Sequence, residues 1–248
     1  MNKTALITGA SKRIGKSLAE HLAANGWNII IHYNSSGKHA RELASALNER
    51  YPDRQFKVIK TDLSNTNEVE KFTKTVLEKF GKFGLLINNA SVFDPGYVSE
   101  TSSSLLNSQL NVNLKAPFLL MRDFKKYCGH GNIINIVDTR ITTNKSNYAA
   151  YTVTKKALWE LTKMAALEFA PGIRVNAIAP GATLAPIGKG EEYLNNLAKK
   201  IPMQKPGGFD PILKSLDYIL ANSHLTGQLM FADGGENLGT SPWGENKL

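Results

Sequence analysis

The sequence predicts an α/β fold in which one seven-stranded, mostly parallel sheet is covered by helices on both faces. Short runs rich in β-branched residues alternate along the chain with amphipathic stretches, which is the order expected of a doubly wound sheet. Several of the short runs are apolar throughout rather than alternating, as expected of strands whose two faces are both buried. A glycine-containing turn follows the first run and opens the first helix.

Each element follows from its own stretch of sequence. The candidate strands are TALIT (4–8), WNIIIHY (27–33), FKVIKT (56–61), GLLINN (84–89), GNIINIVD (131–138), IRVNAIAP (173–180) and GQLMFAD (227–233). Helical patterns occur near residues 13–25, 38–50, 65–80, 104–127, 148–170 and 209–221. We therefore predict one domain over residues 1–240, with an irregular substrate loop at about 182–210, a short helical run at 191–200 inside it, and a C-terminal tail at 241–248.

The composition is that of a soluble globular domain with a sizeable core, because 42% of the 248 residues are hydrophobic. No apolar run approaches the roughly 20 residues that span a bilayer. The first residues, MNKTALITGA, have no signal-peptide pattern. Cys128 is the only cysteine, so the chain has no internal disulfide and no thiolate metal site. We expect a cytoplasmic protein with no membrane partner and no bound metal.

The net charge of +9 raises the question of nucleic-acid binding. The lysines are scattered, however, in short pairs such as Lys125 and Lys126, with no basic tail and no interleaved aromatic residues. We therefore expect no nucleic-acid partner. A positive charge of this kind favours anionic small molecules such as a dinucleotide.

The turn TGASKRIG (8–15) is a candidate phosphate site. Backbone N–H groups at the start of a helix, together with the helix dipole, suit a pyrophosphate. Gly9 permits the tight turn and Gly15 allows close contact between helix and strand, while Arg13 replaces the usual middle glycine. Taken alone, the pattern is also consistent with an ordinary helix cap.

The end of the second strand indicates which dinucleotide would bind. NAD sites place an acid there for the ribose hydroxyls, but residues 29–41 contain no Asp or Glu. The available groups are Asn34, Ser35, Ser36 and Lys38, with Arg13 nearby, and hydroxyls and cations suit a 2′-phosphate. These residues favour NADPH over NADH, although they are also common in turns.

Tyr151 and Lys155 form a candidate proton donor. Four residues apart on a helix, they lie on one face. A neighbouring ammonium favours the phenolate, so we expect Lys155 to lower the pKa of Tyr151 from about 10 toward a useful range. An isolated pair of this spacing is more often a surface tyrosine beside a solvated lysine.

The motifs TGxxxxxG, NNA (88–90), VNL (112–114), YxxxK (151–155) and PG (180–181) occur in this order. With them the sequence resembles the short-chain dehydrogenase/reductase family over nearly its whole length. The resemblance implies a Rossmann-type fold and hydride transfer from a nicotinamide. It also implies Tyr151 as proton donor, Lys155 on the nicotinamide ribose and phenol, Asn113 supporting a proton-relay water, and Asp62 by the adenine. Further positions implied along the cofactor are Ser11, Ile14, Tyr33, Leu63, Asn89, Ala90, Ser91, Pro180, Gly181 and Thr183.

Asp138 departs from the family pattern, which has a serine thirteen residues before the tyrosine. A carboxylate can bind or protonate a nitrogen-rich heterocycle, whereas a carbonyl oxygen gains nothing from an ionised acid beside it. Thr139 is one residue out of register and would point elsewhere. A purely structural role for Asp138 at the end of the strand is the alternative.

Arg13, the segment HYNSS, NNASVF, Asp138 and the closing TGQLMFADGG (226–235) resemble the pteridine reductases and the related dihydromonapterin and dihydrofolate reductases. This resemblance implies a flat pterin between the nicotinamide and Phe93, with Ser91 and Arg13 contacting pterin and phosphates. Gly181, Thr183, Leu184 and Pro186 would border the substrate. The predicted function is NADPH-dependent reduction of a pterin, such as dihydrobiopterin, dihydromonapterin or dihydrofolate, to its tetrahydro form.

Two other functions stay open at this point: a reductase of ketones or 3-oxoacyl thioesters, and a non-catalytic NADP sensor. Tyr151, Lys155 and Asn113 argue against the sensor, which has no need of them. By resemblance we also expect a homotetramer packed through helices 104–127 and 148–170. The small residues that would permit close approach are Ala149, Ala150, Ala157, Ala165 and Ala166.

Overall fold

The computed structural model describes residues 3–185, 188 and 190–239. The predicted tail at 241–248 and the predicted substrate neighbour Pro186 lie outside the described residues. Among the described helices, none is both long and apolar enough to cross a membrane.

In the described residues, seven strands form one sheet, as the sequence predicts. Their bounds are β1 Thr4–Ile7, β2 Asn28–Tyr33, β3 Phe56–Lys60, β4 Leu85–Asn88, β5 Gly131–Ile136, β6 Ile173–Pro180 and β7 Leu229–Ala232. The strand order is β3-β2-β1-β4-β5-β6-β7, and every pairing between these strands is parallel. The predicted α/β fold is confirmed, with a sheet that is parallel throughout.

Helices cover both faces of this sheet. Their bounds are α1 Arg13–Ala24, α2 Gly37–Arg50, α3 Thr66–Phe80, α4 Ser103–Leu110, α5 Ala116–Tyr127, α6 Ala149–Phe169, α7 Glu191–Ala198 and α8 Asp210–Ala221. The apolar sides of α1, α2 and α8 pack in one core cluster, and those of α3, α5 and α6 pack in another on the opposite face. The sheet is therefore buried on both sides, which explains its uniformly apolar strands.

The helix predicted over 104–127 is interrupted. A π-helical turn at Asn111–Lys115 separates α4 from α5, and Pro117 lies in the first turn of α5. A proline has no N–H, and its ring clashes with the carbonyl four residues earlier, here that of Asn113. The wider turn accommodates this proline, and such turns are common at functional sites.

The loops at the carboxyl ends of the strands carry the candidate site residues. The strand order reverses between β1 and β4, so the loops that follow these two strands leave a crevice between them. Gly9 follows β1, Asn89 follows β4, and Asp138 stands two residues beyond β5. A ligand site is expected at this edge of the sheet.

The alanines expected to face a second copy do not all do so. Ala150, Ala165 and Ala166 are buried within this chain, the last two in the core beneath α6. Exposed large apolar residues of the same helix, Met164 and Leu167, face outward instead. The homotetramer stays a prediction.

Candidate functional site

A cavity of about 710 Å³ opens at the carboxyl edge of the sheet. Its volume is in the range usual for small-molecule sites. The predicted site residues that line it are Gly9, Ser11, Arg13, Ile14, Gly15, Tyr33, Asn34, Ser35, Ser36, Asp62, Leu63, Asn89, Ala90, Ser91, Phe93, Asp138, Tyr151, Lys155, Pro180, Gly181, Thr183 and Leu184. The structure thus brings together the predicted site residues apart from Asn113 and Lys38, which do not line the cavity, and Pro186, which lies outside the described residues.

The turn between β1 and α1 forms one end of the cavity. Gly9 has a φ of 63°, in the region that favours glycine, and a Cβ on Gly15 would overlap the carbonyl oxygen of Gly9 and lie 2.6 Å from the amide nitrogen of Asn89. The N-cap of α1 makes no side-chain hydrogen bond, and no acid stands in the first turn. The N–H groups at this helix start therefore keep the arrangement that binds phosphate oxygens.

Arg13 occupies the position of the missing glycine and adopts its conformation. Its φ is 52°, a left-handed value that is costly for a side chain with a Cβ. The guanidinium reaches across the cavity and donates to the carbonyl oxygen of Ala185, 3.2 Å away. Such strain is kept where the surrounding structure needs the side chain in place.

A buried histidine braces this turn, which sequence reasoning did not single out. The Nδ1 atom of His32 accepts a hydrogen bond from the N–H of Gly9 at 3.1 Å, and its Nε2 contacts the carbonyl oxygen of Thr61 at 3.0 Å. Only the tautomer with a proton on Nε2 satisfies both partners. Burial lowers the pKa of His32 to about 4, so the ring is neutral at physiological pH.

The end of β2 places Asn34, Ser35 and Ser36 on the cavity, and Asn34 donates to the carboxylate of Asp62 at 3.3 Å. Lys38 does not take the role expected of it, because its exposed ammonium points along α2 toward Glu42, 3.9 Å away. Lys12 lines the cavity instead and supplies a cation beside Arg13.

The centre of the cavity is a hydrogen bond between two side chains from different elements. The hydroxyl of Tyr151, in the first turn of α6, donates to Oδ2 of Asp138 at 2.7 Å. The other oxygen of that carboxylate accepts from the backbone N–H of Arg140 at 2.8 Å. Thr139, the alternative considered from the sequence, turns away and donates to Asp233 at 2.7 Å.

The electrostatics correct one expectation. The pKa of Tyr151 is raised well above its ordinary value, first by burial and then by the charge of Asp138, and is not lowered by Lys155. Burial also raises the pKa of Asp138, against the pull of its hydrogen-bond donors and of Lys155. Lys155 is only 2% exposed, and its ammonium donates to the carbonyl oxygen of Ile136 at 2.8 Å. Burial lowers its pKa to about 8.

An aromatic group stands next to this pair. Phe93 is 42% exposed and stacks in parallel on Tyr148, with ring centroids 4.1 Å apart, and meets Tyr151 edge to face at 4.6 Å. The guanidinium of Arg140 lies 4.7 Å from the Tyr148 ring centre and 5.7 Å from that of Phe93. This cluster offers flat apolar surface beside a polar edge.

Asn113 does not line the cavity, and its expected support of a proton-relay water stays a prediction. It is fully buried, and its Oδ1 accepts from the Ser91 hydroxyl at 3.0 Å and from the Val92 N–H at 2.9 Å. Its Nδ2 donates to the Val92 carbonyl oxygen at 2.9 Å. Asn113 therefore holds the loop that carries Ser91 and Phe93.

The irregular segment and the C-terminal part of the chain form the remaining wall. Thr183 is buried and donates to the carbonyl oxygen of Gly181 at 3.1 Å. Further lining residues that were not predicted include Arg140, Tyr148, Tyr193, Leu194, Leu197 and Glu236. Tyr193, Leu194 and Leu197 fall within the predicted substrate loop at about 182–210, and Arg140 and Tyr148 lie within three residues of Asp138 and Tyr151. No sequence pattern indicated Glu236.

The profile of the short chain dehydrogenase family matches residues 3–193. The uncharacterised oxidoreductase YmfI of Bacillus subtilis is 30% identical over 248 residues, which cover 95% of this chain and 99% of the relative. The 3-oxoacyl-acyl-carrier-protein reductase FabG of Staphylococcus epidermidis is 28% identical, over 95% of this chain and 99% of the relative. The solved structure of FolM alternative dihydrofolate reductase 1 from Brucella suis in complex with NADP matches with a TM-score of 0.91 and 33% identity, over 97% of this chain and 98% of that chain.

Proposed function

This chain belongs to the short-chain dehydrogenase family, and we propose that it reduces the ring of a pterin to the tetrahydro form with NADPH. The Brucella suis structure, a dihydrofolate reductase in complex with NADP, supports both the cofactor and the substrate class. The proposal rests on the hydrogen bond between Tyr151 and Asp138, an arrangement that does not suit the reduction of a ketone.

The cofactor end of the cavity fits NADP(H). The uncapped start of α1 presents N–H groups for the pyrophosphate. Lys12, Arg13, Ser35 and Ser36 are the cations and hydroxyls available to a 2′-phosphate, and residues 29–41 contain no acid that would repel it. When bound, NADPH supplies the hydride for the reduction.

The observation that carries the substrate class is the 2.7 Å hydrogen bond from Tyr151 to Asp138. Ketone reduction builds negative charge on oxygen and calls for hydrogen-bond donors around that atom. Here the phenol proton is directed at a carboxylate, and a carboxylate beside a developing oxyanion would repel it. A ring nitrogen that must be protonated gains from the same carboxylate.

Asp138 and Tyr151 hold and deliver the proton. Burial raises the pKa of the Asp138 carboxyl, so it takes up a proton more readily than an exposed aspartate does. Tyr151 shares the proton through the short hydrogen bond, and its own raised pKa keeps the phenol protonated in the resting state. Lys155 donates to the carbonyl oxygen of Ile136, two residues before Asp138, and so anchors its helix to the end of β5. Phe93 presents a flat face beside the pair for a planar ring.

The test is NADPH oxidation by the purified protein with dihydrobiopterin, dihydromonapterin, dihydrofolate and an acetoacetyl thioester supplied separately. We expect turnover of at least one pterin. Asp138→Ser, which restores the usual family residue, should reduce pterin turnover by about 100-fold or more while leaving NADPH binding intact. Asp138→Asn is the matched control of the same shape without the charge, and it should lose as much.

The second candidate is reduction of a 3-oxoacyl thioester, which the similarity to FabG favours. In that case the acetoacetyl thioester alone would be reduced, and Asp138→Ser would keep or gain activity. That result would overturn the pterin proposal. Tyr151→Phe separates either enzyme from a non-catalytic NADP sensor, because turnover should be lost while NADPH still binds.

A further inference from the structure

Glu236 is a carboxylate on the cavity wall to which the proposed mechanism gives no part. It begins the 3-10 turn Glu236–Leu238 after β7, is half-buried, and lines the same cavity as Asp138. Its Oε2 accepts from the backbone N–H of Ala182 at 3.2 Å, the one hydrogen bond that the described residues give it. A Cβ on Gly181 would lie 2.9 Å from that oxygen, so the glycine leaves room for the carboxylate at the cavity.

Both carboxylate oxygens of the neighbouring Asp233, in contrast to those of Glu236, accept hydrogen bonds from nearby donors. Its two oxygens accept from the hydroxyl of Thr139 at 2.7 Å and from the backbone N–H groups of Gly235 at 3.0 Å and Asn237 at 2.8 Å. Glu236 has none of these side-chain or turn donors. Within the described part of the chain, no lysine, arginine or histidine forms an ion pair with it.

The charges around Glu236 make this unpaired state unfavourable. Burial raises its pKa, and the negative charges of Asp138 and Asp233 raise it further, while Arg140 opposes them without forming an ion pair. A partly buried carboxylate near like charges gains from hydrogen-bond donors that a ligand brings to it. The cavity is where such donors would come from.

We propose, resting on the pterin reductase function above, that Glu236 is a specificity determinant that accepts hydrogen bonds from the amino group and adjacent ring N–H of a 2-amino-4-oxopteridine. Two neighbouring N–H donors on a planar, guanidine-like edge match the two oxygens of a carboxylate. A ketone or acyl thioester has no donors of this kind. Two acids therefore bind the substrate and have separate roles. Glu236 accepts hydrogen bonds from the amino-pyrimidine ring, and Asp138 with Tyr151 protonates the ring that is reduced.

The experiment compares a dihydropterin with its dihydrolumazine counterpart, in which oxygen replaces the 2-amino group. Equilibrium dissociation constants are measured on the NADP-loaded protein, and kcat and KM wherever turnover occurs. The wild type should prefer the pterin. Glu236→Gln, which keeps the shape, should weaken pterin binding by about 10- to 100-fold, leave lumazine binding unchanged or tighter, and change kcat by much less than KM. Glu192→Gln, an exposed acid on α7, is the matched control and should keep the wild-type preference.

If Glu236 has only a structural role, Glu236→Gln should weaken the binding of pterin and lumazine equally, and that result overturns the inference. An unchanged dissociation constant for the pterin in Glu236→Gln also overturns it. Melting temperature and NADPH affinity of the variant establish that it is folded. Failure of the function itself gives a different pattern: a wild-type protein that binds pterin better than lumazine but reduces neither refutes the reductase proposal and leaves the role of Glu236 standing.

Discussion

His32 should make the free energy of unfolding depend on pH in a way that one substitution can isolate. The ring must be neutral in the folded state, because its Nδ1 accepts from Gly9 and its other nitrogen donates to Thr61. Its pKa is 6.5 when unperturbed and about 4 in the fold. As pH falls below about 6.5, the unfolded chain binds the proton and the folded chain does not, so stability is lost on going from pH 6.5 to 4 and is regained as pH rises.

The size of the effect follows from the two pKa values. Each unit of difference between the folded and unfolded pKa is worth about 1.4 kcal/mol, so the titration of His32 alone should remove about 3 kcal/mol between neutral pH and about pH 4. The side chain is 2% exposed, so solvent screening takes away little of this. For a domain of this size, about 3 kcal/mol is a large part of the free energy of unfolding.

The measurement is urea denaturation of the wild type and of His32→Asn across that pH range. The amide oxygen of asparagine can still accept from Gly9 but does not titrate. The variant should be less stable at neutral pH by about 1–3 kcal/mol, since the carbonyl of Thr61 loses its donor, and its stability should fall less steeply with acid. His39→Asn, on the exposed side of α2, is the matched control and should follow the wild type. Equal slopes for the wild type and His32→Asn would refute the reasoning.

Three further substitutions test other parts of the site. Gly15→Ala should weaken NADPH binding in a titration and lower stability by about 1–3 kcal/mol, because its Cβ would overlap the carbonyl of Gly9; wild-type affinity would contradict the packing described. Asn113→Ala should cost about 3 kcal/mol in urea denaturation by releasing the loop after β4, and an unaffected melting temperature would argue for a role outside the fold. Thr139→Val should destabilise the protein by about 2 kcal/mol, because the buried carboxylate of Asp233 loses a donor; a neutral result would show that the hydroxyl is replaceable by water.

The features that the sequence predicts well are those set by local order. Strands and helices follow from runs and periods of apolar residues, and the spacing of Tyr151 and Lys155 puts both on one face of α6 because a helix repeats every 3.6 residues. Asp138 is identifiable because it follows an apolar strand and stands where the family has another residue. Each of these signals lies within a few residues of the position it predicts.

The features that the sequence does not predict depend on contacts between distant segments. The pKa of Tyr151 rises because burial and the charge of Asp138 outweigh the opposing effects of Arg140 and Ser91, while the ammonium of Lys155 donates to the carbonyl oxygen of Ile136. The position of Glu236 depends on how the turn after β7 meets the loop after β6. The π-helical turn, by contrast, is indicated locally by Pro117. This proline lies in the interior of the predicted helix 104–127, where regular α-helical hydrogen bonding does not accommodate it.

The hydrogen bond from Thr139 to Asp233 joins positions 94 residues apart in the chain. During synthesis, the turn after β1, the end of β2 and helix α6 all leave the ribosome before β7 does. The anchor for the segment after β5, and Glu236 three residues beyond Asp233, are added last. A chain that ends before β7 lacks both Asp233, which accepts the hydrogen bond of Thr139, and Glu236, so the last strand completes one wall of the cavity.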